Sequence, residues 1–354
     1  MSDSPTPISL DELRLAARNH AMPLEALRYP VTPVGLHYLL IHFDIPAVDA
    51  TAYRLEVDGL VGSPLSLSLD ELRERPAVEV PVTMECAGNG RALLEPHVAS
   101  QPWVLEAVGT ATWRGTPLRG VLAEAGLLDE AVEVVFTGLD HGFEGEEGLD
   151  YQRSLSVMDA YRPEVLLAYE MNGQPLPPQH GSPLRLVVPG WYGMTSVKWL
   201  GRITLVDRPF DGYYHVSSYR LRQSEDDVGE PVTRMLPRAL MAPPGYPEYM
   251  TRARIVPAGP WVLEGRAWSG WGDIDSVEVS VDGGRIWAAA DLERDLGGPA
   301  AWSRWTFTWE ASPGEYELCC RARDEAGNEQ PLEPVWNLGG YVNNAVQRVS
   351  ATVA

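Results

Sequence analysis

The chain has 354 residues, 45% of them apolar and 22% charged, enough for two packed domains. Its formal net charge of -21 argues against a nucleic-acid partner, because phosphate binding needs clustered Lys and Arg. Three cysteines with no CxxC spacing exclude a zinc finger, an iron–sulfur site and a disulfide framework.

The opening run Met1-Ser2-Asp3-Ser4-Pro5 has no basic stretch leading into an apolar one. The chain therefore reads as cytoplasmic, or as periplasmic if a leader has been trimmed. No apolar run approaches the roughly eighteen residues of a membrane span. Tyr53 to Val57 alternates as a strand and Asp58-Gly59 turns it. Ser68 opens a short helix over Asp70 to Glu74, stopped by Pro76. Val78 to Met84 is extended and runs directly into Cys86. Thr116 reads as the cap, and Pro117 as the first residue, of a helix reaching about Leu127. Val132 to Phe136, Val165 to Tyr169 and Leu184 to Val188 read as strands. The run Met241-Ala242-Pro243-Pro244-Gly245-Tyr246-Pro247 reads as a linker. Beyond it, Val277 to Val281, Trp305 to Trp309 and Tyr316 to Arg323 alternate between turns, the pattern of an immunoglobulin-like β-sandwich. Cys319 and Cys320, adjacent in one such strand, face opposite ways and read as structural. The expected division is residues 1–240 and 241–354, with fold class α+β: a mixed α/β first domain and a β-sandwich.

Cys86 follows a strand and precedes Ala87-Gly88-Asn89-Gly90, small residues that let backbone approach a bulky ligand. A thiolate there suits a nucleophile, a redox sensor or a metal ligand, with Arg91 placed to lower its pKa; a buried structural cysteine is the plain alternative. Three further clusters put donors beside glycine, proline or a strand end: Arg18-Asn19-His20, His180 to Arg185, and Ser196-Val197-Lys198. In so acidic a chain, together they supply the positive charge a phosphate-bearing cofactor needs.

Glu85-Cys86-Ala87-Gly88-Asn89-Gly90-Arg91 resembles the molybdenum-ligating loop of the sulfite oxidase family. Arg18-Asn19-His20 resembles that family's N-terminal motif. His180 to Arg185 with Ser196 to Leu200 resembles its pterin-phosphate motif. Ala267 to Gly270 and Val335-Trp336-Asn337-Leu338 resemble its dimerisation domain. The resemblance implies molybdenum bound by molybdopterin and by the sulfur of Cys86, oxidising sulfite to sulfate by oxygen transfer. It implies Arg18 and Arg91 as anion clamps and Trp103 as a pocket wall. Asn19, His20, Asp140, His180, Arg185, Ser196, Val197 and Lys198 would hold the pterin. Tyr219 matches the family's active-site tyrosine, whose hydroxyl would donate toward the reacting oxygen. A homodimer through the second domain is implied as well.

None of the seven histidines lies in a haem-binding pattern, so electrons are expected to pass to a separate acceptor, a cytochrome or oxygen. Gly339 stands where animal sulfite oxidases carry an arginine, and Thr195 where an arginine often precedes Ser-Val-Lys. The lost charge-assisted contact is worth about 1.5–3 kcal/mol of anion binding. That departure keeps open a related molybdenum enzyme that reduces a sulfoxide or another oxyanion. A non-enzymatic β-sandwich binding protein is the remote reading, and it leaves Cys86, Arg18 and Lys198 unexplained.

Overall fold

A computed structural model describes residues 8–298 and 300–354, so the first residues read for a leader lie outside them. Strands dominate, and the helices are few and short: Leu10–Arg18, Leu69–Arg73, Leu118–Ala125, Val157–Ala160 and Tyr213–Val216. The first domain is therefore less helical than the mixed α/β expectation.

Two large sheets and a two-stranded ribbon, Arg220–Leu221 with Glu230–Pro231, build that first part. One has the order Leu65–Ser68, Arg54–Gly59, Leu200–Val206, Glu133–Glu144, Glu147–Ser156. Its single parallel pairing joins Arg54–Gly59 to Leu200–Val206. The other is antiparallel: Val78–Glu85, Val108–Pro117, then Leu166–Met171, which also pairs with Arg185–Val187. A shared core fills the space between sheets and helices, with Leu55, Phe136, Leu186 and Ile203 fully buried.

The second part is two sheets face to face. Arg238–Ala242 is an edge strand of one, followed by Gly259–Trp268 and Ser303–Ala311; Gln347–Val353, Gly314–Asp324 and Ile274–Ser280 lie inside the other. Their inner faces supply one core, including Met241, Leu263, Trp305, Val279, Leu318 and Val349. Cys320 belongs to that core, while Cys319 is buried on the opposite face of the same strand, and both are free thiols.

Two local expectations need correction. Thr116 does not cap a helix: it lies within the strand Val108–Pro117, its hydroxyl donates to the Pro76 carbonyl, and Pro117 occupies the cap position. The helix stops at Ala125, where Gly126 takes a left-handed conformation, as glycine does after a final helical turn. Met241 and Ala242 do not belong to a linker. They lie in Arg238–Ala242, whose every residue is buried and which pairs with Gly259–Trp268. A strand covered on both faces shows no alternation, so only the following Pro243-Pro244-Gly245 was visible as punctuation.

Candidate metal and anion site

The strand Val78–Glu85 grows more buried along its length and delivers Cys86 into the interior. There the chain must turn tightly. The Asn89 amide donates back to the Cys86 carbonyl, Gly90 adopts φ 91°, and a Cβ on Gly88 would lie 2.6 Å from the Arg91 guanidinium. Only glycine serves at both places.

The back of this loop rests on the second domain. Glu85 pairs with Arg238 at 2.7 Å, both side chains 1% exposed, and accepts from the Trp268 indole at 2.9 Å. The Val342 amide donates to the Ala87 carbonyl, and the Asn343 side chain donates to the Gly90 carbonyl. Arg91 donates to the carbonyls of Gly339 and Gln101, and its guanidinium lies 5.0 Å from the Tyr341 ring centre. Gly339 thus contributes a carbonyl that holds Arg91, where the resemblance led one to look for a second arginine.

Two cavities meet at Cys86, sharing Leu40, His42, Cys86 and Tyr219 as walls. The outer one, about 360 Å³, is also walled by Arg18, Asn19, Arg91, Trp103, Tyr214 and Tyr341. The inner one takes in His37, Asp140, His180, Arg185, Ser196 and Lys198. Local irregularity makes the inner wall. The pairing of Glu133–Glu144 with Glu147–Ser156 slips between Thr137 and His141, leaving Asp140 free of the regular ladder, the effect of a β-bulge. Arg185 leads its strand opposite Ala168. It donates to the carbonyls of His180 and Ser196, both at 3.0 Å, and its guanidinium lies 4.7 Å from the Trp113 ring centre. Lys198 donates to the Leu40 carbonyl at 2.7 Å.

Electrostatically the inner cavity is incomplete. The acceptors that Arg185 and Lys198 find are neutral. Burial pushes Arg185 down to about 10 and Lys198 well below the usual lysine range, and it pushes the Asp140 carboxyl up. His180 falls to about 2, chiefly through burial and then through His37 and Arg185. Among the described residues, Asp140 is the one carboxyl that lines this cavity beside Arg185 and Lys198, and it acts on Lys198; an anion entering the cavity would supply the further counter-charge that two cations need. Unpartnered polar atoms point to the same need: Nε2 of His180, Nε2 of His37 and Oδ1 of Asp140 close no hydrogen bond. Natural interiors leave few such groups orphaned. Arg91 and Trp103 favour the Cys86 thiolate, but burial outweighs them and raises the thiol. Coordination to a metal would reverse that balance. A buried thiol, unpartnered polar atoms and two cations fit a metal carried on an anionic, hydrogen-bonding organic group.

Two residues expected to touch a pterin do not line either cavity. His20 is exposed, and its Nε2 contacts the His37 carbonyl at 3.0 Å. The Val197 side chain packs in the hydrophobic core, as a branched alkyl group does when buried. Arg18 and Asn19 do reach the outer cavity, but as a clasp. Arg18 donates to the carbonyls of Ile41 and His42, and the Ile41 amide donates to Asn19 Oδ1 at 2.7 Å. What that clasp presents is His42, which sequence reasoning missed. Its only signal was one imidazole at the end of the apolar run Leu39-Leu40-Ile41. His42 Nε2 is hydrogen-bonded to the Tyr219 hydroxyl at 2.8 Å, and burial with Lys198, Arg18 and Arg91 lowers its pKa to about 3.

Residues 42–214 match the family described as "Oxidoreductase molybdopterin binding domain", and residues 241–354 match "Mo-co oxidoreductase dimerisation domain". The chain is 39% identical over 336 residues to sulfite oxidase of Gallus gallus, covering 90% of this chain and 72% of that protein. It is 35% identical over 353 residues to nitrate reductase [NAD(P)H] of Hordeum vulgare, covering 91% of this chain and 39% of that protein. It spans 62% of the length of the mitochondrial sulfite oxidase of Mus musculus, at 37% identity and with 91% of this chain covered. The crystal structure of sulfane dehydrogenase SoxCD from Paracoccus pantotrophus superimposes with a TM-score of 0.81, at 26% identity, covering all of this chain and 89% of that one. The chain belongs to the sulfite oxidase family of molybdopterin-binding oxidoreductases.

Proposed function

We propose that this chain is a molybdenum enzyme that oxidises sulfite to sulfate and passes the two electrons to a separate acceptor. The observation that carries the reading is the meeting of the two cavities at Cys86, one lined by Arg185, Lys198 and unpartnered polar atoms, the other by Arg18 and Arg91. Cys86 would hold the metal, and Asp140, His180, Arg185, Ser196 and Lys198 would hold the pterin and its phosphate. When bound, the molybdenum cofactor supplies the two-electron redox chemistry. The chain's own residues do the rest. Arg91, gripped by two carbonyls and facing Tyr341, presents a fixed guanidinium to the anion. Trp103 and Tyr341 narrow the outer cavity and limit water. Tyr219 offers its hydroxyl at the junction of the cavities, where it would donate toward the anion. Sulfite and water give sulfate, two protons and two electrons.

The second module would join two copies, and its face-to-face sheets support the immunoglobulin-like reading. A homodimer by light scattering at micromolar concentration is the expected state, and a monomer would contradict it. Similarity to a nitrate reductase and the lack of an arginine at Gly339 favour a second reading, reduction of an oxyanion. The deciding experiment is turnover of sulfite with ferricyanide and with cytochrome c, set against oxidation of a reduced viologen by nitrate or a sulfoxide. Sulfite-dependent reduction that vanishes in Cys86→Ser supports the first reading. Viologen oxidation without sulfite turnover supports the second.

A further inference from the structure

Tyr219 is an unusual residue to leave unsupported. Its backbone sits at φ 53°, a conformation few side-chain-bearing residues adopt, and its ring is buried against Tyr341 at 5.1 Å and Arg153 at 5.4 Å. Those ring contacts fix the plane of the phenol but not the direction of its O–H, which can rotate to suit a partner. The neighbouring Tyr151 has its own hydroxyl engaged with the Met194 carbonyl at 2.8 Å. The partner that Tyr219 finds is Nε2 of His42, at 2.8 Å.

His42 is itself held with more care than a packing residue needs. The helix Leu10–Arg18 ends beside it, and three consecutive residues grip the segment that carries it. Arg18 donates to the His42 and Ile41 carbonyls, Asn19 accepts from the Ile41 amide, and His20 exchanges both backbone hydrogen bonds with Leu39. The His42 ring stands 5.0 Å from Tyr151 and walls both cavities, as Tyr219 does.

We propose that His42 is a positioning residue for Tyr219: it fixes the phenol hydroxyl at the junction of the two cavities, and the Arg18-Asn19-His20 clasp holds His42 to that task. The consequence for catalysis rests on the sulfite-oxidising reading above; the His42–Tyr219 pair itself does not.

The test uses the full chain and four variants. His42→Leu removes the hydrogen bond, while His42→Gln keeps an amide nitrogen able to reach where Nε2 stands. Tyr219→Phe removes the other partner, and a double variant combines Leu and Phe. Protein purified without cofactor and labelled with ¹⁵N-histidine gives the first readout, the imidazole nitrogens of His42, assigned by their loss in His42→Gln. Their shifts are expected to move in Tyr219→Phe; unmoved shifts overturn the pairing. In the cofactor-loaded enzyme, His42→Leu is expected to lower kcat for sulfite about 10²-fold, the scale of a misplaced group, with KM little changed. His42→Gln is expected to recover most of that loss, and the double variant to be no slower than Tyr219→Phe alone. Full kcat in His42→Leu, or multiplicative losses in the double variant, would overturn the proposal. If wild type shows no sulfite turnover, the functional reading fails while the nitrogen shifts still decide whether His42 positions Tyr219.

Discussion

At the scale of single residues, the site's cations are retained against folding stability. Lys198 is half-buried, its ammonium meets a neutral carbonyl, and desolvation pulls its pKa down. Replacing such a charge with an apolar side chain of similar volume is often neutral or stabilising. Lys198→Met is therefore expected to melt no lower than wild type when both lack cofactor, and to carry far less molybdenum when purified from a host that makes it. A clear drop in the melting midpoint with full molybdenum would show that Lys198 serves the fold instead. Cys86, Arg91, Arg185 and Lys198 were legible in the sequence because each is a reactive or charged residue inside a glycine- or proline-marked motif. His42 was not, because its role comes from a hydrogen bond across 177 residues to Tyr219, which no local pattern records. The same limit applies to His20 and Val197, which line neither cavity: a motif marks a segment, and only the fold decides which of its side chains turn inward.

At the scale of elements, the strand Val78–Glu85 and the second module are joined by one buried ion pair. Glu85 takes Arg238, the Trp268 indole and the Asn89 side chain. Removing one partner leaves an uncompensated buried charge, a cost of about 3–5 kcal/mol. Arg238→Met is expected to lower unfolding stability by that amount in denaturant titrations. Adding Glu85→Gln should restore part of it, because the stranded carboxylate goes. A loss below about 1 kcal/mol in Arg238→Met would mean the pair does not anchor the cysteine loop. Sequence reasoning recovered eight of the strands from alternation and turns, and read nothing at long ones such as Val108–Pro117, Leu200–Val206, Gly259–Trp268 and Gln347–Val353. It failed at Arg238–Ala242, where burial on both faces erases alternation, and at Thr116, where the strand continues straight into its helix.

At the scale of the whole molecule, charge is arranged against its average. Against a net charge of -21, Arg91, Arg185 and Lys198 stand around one internal site, beside three histidines held in neutral form. His37 falls to about 4, His42 to about 3 and His180 to about 2, each chiefly by burial. Unfolded, these groups take up a proton near pH 6.5; folded, they do not until far lower. Between those limits the unfolded chain binds more protons, so their contribution to stability is full above about pH 6.5 and falls as the solution is acidified. The melting midpoint of cofactor-free protein is expected to decline from pH 7 to pH 5, and less steeply in His180→Gln. Equal slopes in the two proteins would contradict this account of the inner cavity.

The central claim is that the Cys86 sulfur binds molybdenum. X-ray absorption at the molybdenum edge tests it most directly, on wild type and on Cys86→Ser reconstituted with cofactor. The account predicts a sulfur shell around the metal that loses one scatterer in the variant. An unchanged sulfur shell would contradict it.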